Sequence, residues 1–274
     1  MVSAVTSFND MAPSPRAVVD IDVNDLDPNT RTITVFQVSQ WGQVAVRNAT
    51  RKSAVGGFLV TDYELPPGVP VTYRVEQFDV TGSSLGFALS LDAMVEIPFG
   101  MIVVQDPLAP AGALLLNAEA QFAEQLTRTR PSARYQAGGR TFAMTGLYSA
   151  LQAVSLRCTT ETEAERAGLA TLLESPLLLI RSMPKMRLPG AFFASIDSVP
   201  MIPVNARGGG DIDLWDLAAD EVTRPDLEII VAVYTYDRYK AYLDAKYPPF
   251  GTYDDARAEW ATYLDAMRNP PPEV

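Results

Sequence analysis

Alternating apolar and polar positions predict short strands along most of the first hundred residues. In residues 71–77, VTYRVEQ, the side chains of Val71, Tyr73 and Val75 fall on one face of an extended chain, and those of Thr72 and Arg74 fall on the other. Pro-Pro-Gly precedes this strand and DVTGSS follows it, and both are typical turn sequences. About seven such strands recur without helical periodicity between them, which predicts a β-sandwich in residues 1–101.

The pattern changes in residues 102–235, where strands alternate with one helical segment. The stretch ETEAERAGLATLLES predicts a helix near residues 161–174, with Thr160 as its N-cap and Glu163 as the capping-box partner. The next segment, PLLLIRSM, is apolar on both faces, which places it centrally in a sheet or barrel. We therefore predict a mainly β chain whose second domain is β-barrel-like or α+β with one packed helix.

A third pattern fills residues 236–274, where aromatic and aliphatic residues recur at spacings of three and four. The sequence KYPPFGT interrupts it, so a short C-terminal helical hairpin is predicted. Its apolar stripe includes Trp260 and Tyr263. These two side chains either pack on the parent domain or contact a neighbouring protein, because aromatic residues are also enriched in interface cores.

Composition removes several classes of function. The chain has no histidine, which excludes Ser-His-Asp chemistry and most zinc sites, and its single cysteine, Cys158, reads as a buried strand residue. The net charge of −11 argues against nucleic acid and against an anionic membrane surface. We expect no enzymatic activity, no cofactor and no metal.

The acidic residues give two weak candidates for chemistry. Asp20, Asp22 and Asn24 have the spacing of the first ligands of a calcium loop, but the glycine and glutamate that such a loop needs are missing, so a turn explains them better. Paired carboxylates of a glycosidase are the other candidate, in GGGDIDLWDL. The residues are Asp211, Asp213 and Asp216, with Trp215 for sugar stacking. Alternation along the polar face of a strand accounts for Asp211 and Asp213 without a site.

The glycine-rich run ARGGGD lacks the lysine of a phosphate-binding loop and reads as a flexible loop, beside which Arg207 is a candidate for pairing with an acidic group of a partner. The opening sequence lacks the pattern of a signal peptide, and no run is apolar for long enough to span a membrane. A soluble protein made in the cytoplasm is expected, without membrane insertion.

Residues 15–97 resemble fibronectin type III domains. The resemblance rests on YELPPGVPVTYRVEQFDVTGSS, with a Leu-Pro corner before a strand that carries a tyrosine, and on Trp41, which stands about where that family keeps its core tryptophan. The resemblance implies a sandwich core around Trp41.

The segments VVQDPLAP, VSLRCTTETEAERAGLATLLESPLLLIRSMP, LPGAFFASID and IDLWDLAADEVTRPD resemble, in this order, distal tail proteins and other minor tail proteins of long-tailed (siphovirus) bacteriophages of actinobacteria. The resemblance implies a structural protein of the virion, made in the host cytoplasm and placed at the tail tip. It implies a homo-oligomeric ring, expected as a hexamer, between the tail tube protein and the baseplate hub, with other minor tail proteins as further neighbours. Many distal tail proteins carry the ring-forming domain first, so another minor tail protein stays open.

Two alternatives from other classes stay open. A carbohydrate-binding adhesin would use the sandwich domain, with Trp41, Tyr63 or Tyr73 stacking on sugar. A glycosidase would need two of the acids in GGGDIDLWDL at catalytic separation.

Overall fold

The structure is a computed structural model of the chain. It describes residues 2–119, 122–130, 132–137, 140–146, 150–204, 211–225, 243–244 and 246–247. The chain divides into two compact units, Met1–Glu228 and Ile229–Val274. Apart from four positions, the predicted C-terminal hairpin lies outside the described residues.

The first hundred residues form two antiparallel sheets. Their strands, as described, are β1 (Ala4–Phe8), β2 (Arg16–Ile21), β3 (Thr32–Ser39), β4 (Gly42–Ala45), β5 (Lys52–Ser53), β6 (Phe58–Asp62), β7 (Val71–Phe78) and β8 (Ser84–Ala93). One sheet has the order β1-β2-β6, and the other has the order β4-β3-β7-β8 with β5 also paired to β3. The predicted alternation of β7 is confirmed, because Val71, Tyr73 and Val75 are buried while Thr72 and Arg74 are half-buried.

Both sheets contribute to one hydrophobic core, which runs in sequence from Ala17 to Val95. A second core, from Ile102 to Ala219, belongs to the rest of the unit. Its elements, as described, are β9 (Met101–Gln105), β10 (Leu114–Ala118), β11 (Thr127–Thr129), β12 (Ser132–Ala137), β13 (Arg140–Thr145), β14 (Ala150–Gln152), β15 (Val154–Thr160), α1 (Glu163–Leu172), β16 (Leu178–Ser182), β17 (Ala191–Ser198), β18 (Met201–Val204) and β19 (Ile212–Val222).

Six of these strands close into a barrel. Their order is β15-β10-β9-β16-β17-β19, and the pairing of β15 with β19 closes the circle. That pairing runs from Val154 opposite Ala219 to Thr160 opposite Asp213. The prediction of a mainly β chain with a barrel and one packed helix is therefore confirmed for the described residues. The predicted central strand is β16, which is buried along its whole length between β9 and β17.

The N-cap of the helix lies two residues later than predicted. The N-cap is Thr162, whose hydroxyl accepts a hydrogen bond from the amide of Glu165, so the prediction of Thr160 and Glu163 as the capping pair is wrong. Thr160 instead ends β15, where it is buried. Leu169 and Leu172 anchor the helix in the barrel core. A threonine cap followed three residues later by glutamate is present, but at Thr162 and Glu165. Thr159 and Thr160 belong to strand β15 and are therefore not available as caps.

Candidate interaction surfaces

A fully buried arginine, Arg181 of β16, joins the N-terminal sheets to the barrel. Its guanidinium donates to the backbone carbonyls of Pro15 and Leu65 at 2.7 and 3.2 Å. It also donates to Ser14 Oγ and to Gln105 Oε1, and Ser14 itself donates to Gln105 at 2.8 Å. All four acceptors are uncharged. Burial therefore lowers the pKa of Arg181 to about 10, and the side chain stays protonated at neutral pH.

A second polar network joins the N-terminal sheets to the residues that follow β19. Glu64 receives Arg47 Nε at 2.6 Å on one carboxylate oxygen and Arg224 Nη2 at 2.7 Å on the other. Each arginine also donates to a backbone carbonyl near the other arginine. Arg47 donates to the carbonyl of Pro225, and Arg224 donates to the carbonyl of Ala45, both at 2.8 Å. With Arg181, these contacts tie the first sheets to the barrel, and we call the region the junction.

Trp41 lies at the edge of the junction and not in a core. It occupies the turn between β3 and β4 and is 53% exposed, so the expectation of a core tryptophan is wrong. Its ring meets Gly190, where an added side-chain carbon would lie 2.9 Å from Trp41 Cη2 and 2.8 Å from Pro66 Cβ. Gly190 is needed because these two side chains approach its backbone so closely.

The other aromatic residues of the adhesin hypothesis do not form a sugar-stacking platform. Tyr73 is fully buried and donates to Asp62 Oδ2 at 2.8 Å, so a stacking role for Tyr73 is wrong. Burial raises the pKa of Tyr73 well above 10 and raises the pKa of the Asp62 carboxyl. Tyr63 is half-buried, and burial also raises its pKa. Of the three candidates, Trp41 is the one with an exposed ring.

An apolar ribbon, made of β18 and the start of β19, lies at one end of the barrel, and β15 pairs with the other side of β19 at residues 213–215. Strand β18 pairs only with β19 in the described chain, with Met201 opposite Trp215 and Val204 opposite Ile212. Residues opposite each other in an antiparallel pair share a face. One face of the ribbon therefore carries Ile202, Val204, Ile212 and Leu214. The first three are 57%, 43% and 43% exposed, and Leu214 is half-buried. We call residues 201–204 and 211–215 the apolar arm.

A second ribbon projects from the opposite end. Strand β11 pairs with β14, and β12 pairs with β13, so the chain between β10 and β15 runs out and back. Its base is fixed by acidic side chains of β19, because Glu221 accepts from the amide of Leu151 at 2.8 Å and Asp220 accepts from the amide of Ala153 at 2.6 Å. All three residues of β11 are exposed. We call the described residues of this ribbon, 127–130, 132–137, 140–146 and 150–152, the basic arm, for the arginines that it carries.

The predicted interface residues Arg207, Trp260 and Tyr263 all lie outside the described residues, so their role stays a prediction. In the sequence, residues 205–210 stand between Val204 and Asp211, the described ends of the two strands of the apolar arm.

Two of the three acids proposed for a glycosidase, Asp213 and Asp216, are held in ion pairs on different faces of β19, and Asp211 is exposed. Asp213 is buried, binds Arg166 Nε, and faces the core side of β19, so its assignment to the polar face of the strand is wrong. Asp216 binds Arg157 Nε at 3.2 Å and lies on the other face. Trp215 is also buried, with its indole N–H donating to Thr160 Oγ1 at 2.9 Å, so it is not placed to stack on a sugar.

The remaining candidates are explained by local structure. Asp22 caps a short 3-10 turn, accepting from the amide and side chain of Asn24 at 2.9 and 2.7 Å, which matches a turn better than a calcium loop. Among the described residues no group of three or more histidine, cysteine, aspartate or glutamate side chains is placed to hold a metal ion. Cys158 is buried in β15 as predicted, and desolvation raises its pKa to about 12.

Two features escaped the sequence reasoning. Arg181 stands inside the predicted central strand, and an arginine in a strand apolar on both faces is a signal that buried acceptors must surround it. The basic arm was also recognisable, because residues 125–149 hold four arginines and no acidic residue in a chain of net charge −11. The acceptors of Arg181 come from residues 14, 15, 65 and 105, which no local pattern connects.

Comparison with protein-family models, with curated proteins and with solved structures found no match. Within the part of the chain that the structure describes, no helix is long and apolar enough to cross a membrane.

Proposed function

We propose that the chain is a structural virion protein of a phage tail tip, of the distal tail type, which assembles into a ring between the tail tube and the baseplate hub. The observation that carries this proposal is the apolar arm. Three of the four apolar side chains on this face are more than 40% exposed, and β18 is an edge strand that pairs only with β19 in the described chain. A contiguous exposed apolar surface of this kind marks an interaction site, and an open edge strand is otherwise prone to uncontrolled pairing.

The position of the two arms supports a ring. The basic arm enters β15 at Val154, and the apolar arm enters β19 at Ile212, and these residues lie at opposite ends of the β15–β19 pair. Contacts made by opposite ends of a subunit are head-to-tail, and head-to-tail contacts produce closed rings when the rotation between subunits closes. Six copies is the number that the sequence resemblance implies.

The N-terminal sheets support the second part of the proposal, a fibronectin type III-like sandwich displayed beside the ring. A three-stranded sheet β1-β2-β6 and a sheet β4-β3-β7-β8 share one core, as the two sheets of a sandwich do. The junction would hold this sandwich at a fixed angle to the barrel. The tail tube protein, the hub and other minor tail proteins are the proposed neighbours.

The proposal is tested by measuring the mass of the purified protein by light scattering at several concentrations, with negative-stain images of the same fractions. We expect an annular oligomer with an open centre. The triple variant Ile202→Ser/Val204→Ser/Ile212→Ser removes most of the apolar face of the apolar arm and should shift the protein toward monomer.

The matched control is Val55→Ser/Val80→Ser, which changes two valines that are 76% and 82% exposed elsewhere on the surface. This control should assemble as the unchanged protein does. A protein that stays monomeric at every concentration, also when mixed with purified tail tubes, would contradict the proposal. In that case glycan-array binding, with Trp41→Ala as the comparison, would test the adhesin alternative.

A further inference from the structure

We propose that the basic arm of one copy docks on an acidic end of the barrel of the next copy, an inference that rests on the proposed ring. The acidic end is defined by Glu161, Glu163, Glu165, Asp211 and Asp213. It lies where β15 runs into α1 and where β19 begins.

The basic arm concentrates positive charge. Its arginines are Arg128, Arg130, Arg134 and Arg140, and residues 125–149 contain neither aspartate nor glutamate nor lysine. Arg128 and Arg130 are exposed, as are Thr127 and Thr129 beside them. A two-stranded ribbon has no core of its own, so its order outside the barrel depends on a surface that covers it.

The acidic end concentrates negative charge. Its carboxylates gather around one guanidinium, that of Arg166, which binds Asp213 and Glu163 and donates to the backbone carbonyl of Asp211 at 3.0 Å. The hydrogen bond to Asp213 raises the pKa of Arg166. Glu161, Glu163 and Asp211 are exposed, so the acidic end keeps a negative surface toward solvent after this internal pairing.

The two surfaces lie at opposite ends of one subunit. Strand β15 begins at Val154, beside the base of the basic arm, and ends at Thr160, directly before Glu161. Six residue steps along an extended chain span roughly 20 Å. The arm therefore projects away from its own acidic end and is placed to meet that of another copy, which gives the head-to-tail contact that a ring needs.

A second copy fits this arm better than nucleic acid does. The rest of the chain is strongly acidic, since the net charge is −11 even with these arginines counted, and it would repel a polyanion. The same chain supplies a complementary acidic surface. Charge complementarity of this kind fixes orientation and register at an interface.

The test is a charge exchange in the full-length protein. The arm variant Arg128→Glu/Arg130→Glu and the end variant Glu161→Lys/Asp211→Lys each place like charges opposite one another, and each should raise the dissociation constant of the oligomer by about tenfold or more. Combining all four changes in one chain restores opposite charges, so assembly should return to within about threefold of the unchanged protein. Sedimentation velocity over a concentration series measures all four proteins.

Two controls separate the contact from general effects. Arg31→Glu/Arg187→Glu changes the net charge as the arm variant does, at two exposed arginines outside the arm, and should assemble normally. Circular dichroism melting shows whether each variant is folded. The end variant avoids the helix itself, because Glu161 and Asp211 lie outside α1.

The outcomes distinguish this inference from the ring proposal. If the unchanged protein forms rings and folded arm and end variants assemble equally well, or if the fourfold variant is not restored, the docking contact is wrong while the ring stands. If the unchanged protein never self-associates, both proposals fail. Binding of the unchanged protein to a fluorescent DNA duplex, lost in the arm variant without any change in assembly, would assign the arm to nucleic acid and overturn the contact.

Discussion

The junction and the two arms differ in which side chains they bury and which they expose. At the junction, the charged groups of Arg181, Arg47 and Glu64 are almost fully buried, and each has hydrogen-bonding partners within the chain. In the apolar arm, Ile202 and Val204 are exposed to solvent on the edge strand β18. Burial of charge is costly unless acceptors are supplied, and exposure of apolar surface is unfavourable unless a partner covers it.

This difference separates contacts that form within one copy from contacts that would need a second copy. The charged groups of the junction pair within one copy, although Nε of Arg181 and Nε of Arg224 are buried without a hydrogen-bond partner among the described residues. The junction should therefore determine the stability of the monomer. The arms contribute little to that stability and should matter when copies meet. Substitutions in the two regions should therefore separate into effects on unfolding and effects on assembly.

The largest effect on stability is expected from Arg181→Ala. The substitution leaves the carbonyls of Pro15 and Leu65 without this donor, removes one of the two hydrogen bonds to Gln105 Oε1 and opens a cavity, so the free energy of unfolding should fall by about 3–5 kcal/mol. Urea unfolding measures it, with the exposed Arg31→Ala as the control, expected within about 0.5 kcal/mol. Equal effects of the two variants would contradict the role of the junction.

The next effect is expected from Glu64→Gln, which leaves Arg47 and Arg224 without their shared carboxylate. The side chain of Glu64 is 10% exposed, and we expect a loss of about 2–3 kcal/mol. Glu163 also pairs with an arginine, Arg166, but its side chain is 80% exposed. Glu163→Gln should therefore change the free energy of unfolding by less than about 0.5 kcal/mol.

Tyr73→Phe should destabilise in a pH-dependent way. Near neutral pH the variant loses the hydrogen bond to buried Asp62, at a cost of about 1–2 kcal/mol. Since the pKa of folded Tyr73 lies above its unfolded value of 10, the unchanged protein keeps this contribution below pH 10 and loses stability as the pH rises through the folded pKa. The gap between the two proteins should shrink with increasing pH, and a gap independent of pH would contradict this assignment.

A smaller effect is expected from Trp41→Ala. A tryptophan in a packed core costs about 3–5 kcal/mol when truncated, but Trp41 is half-exposed beside Gly190, and we expect about 1 kcal/mol. Thermal or urea unfolding decides between these values. A loss in the upper range would return Trp41 to the role that the sequence resemblance implied.

The smallest effect on stability is expected in the apolar arm. The pair Val204→Ser/Ile212→Ser removes one cross-strand contact of a solvent-exposed ribbon, which should cost about 0.5 kcal/mol or less. A loss as large as that of Glu64→Gln would show that the arm is part of the stable core, and that it differs less from the junction than its exposure indicates.

Features that depend on residues close together in the sequence were predicted correctly. The period-2 pattern of β7 and the doubly apolar β16 are local signals, and both strands were predicted correctly. The helix was also found, with its start displaced from Thr160 to Thr162 because neighbouring threonines compete for the cap. Local periodicity states which face of a strand is buried, and this is enough for element type.

The surfaces were harder because they depend on contacts between distant residues. Trp41 was placed in a core by resemblance, yet it lies in the two-residue turn between β3 and β4, where it is 53% exposed beside Gly190. Asp213 was placed on a polar face, whereas the register of β19 with β15 turns it inward toward Arg166. Register and closure of a barrel are tertiary properties, and a single strand does not encode them.

The closed pairing of β15 with β19 has a mechanical consequence. In the proposed ring, the basic arm would pull on β15 from one end and the apolar arm would pull on β19 from the other, and the two strands are antiparallel over seven residue pairs. Tension between neighbours in a ring would act on the two strands in a shear geometry. It would load all of these pairs together and would not unzip them one after another. Such a subunit should yield only at high force, because forced rupture follows the rate of unfolding and not the equilibrium.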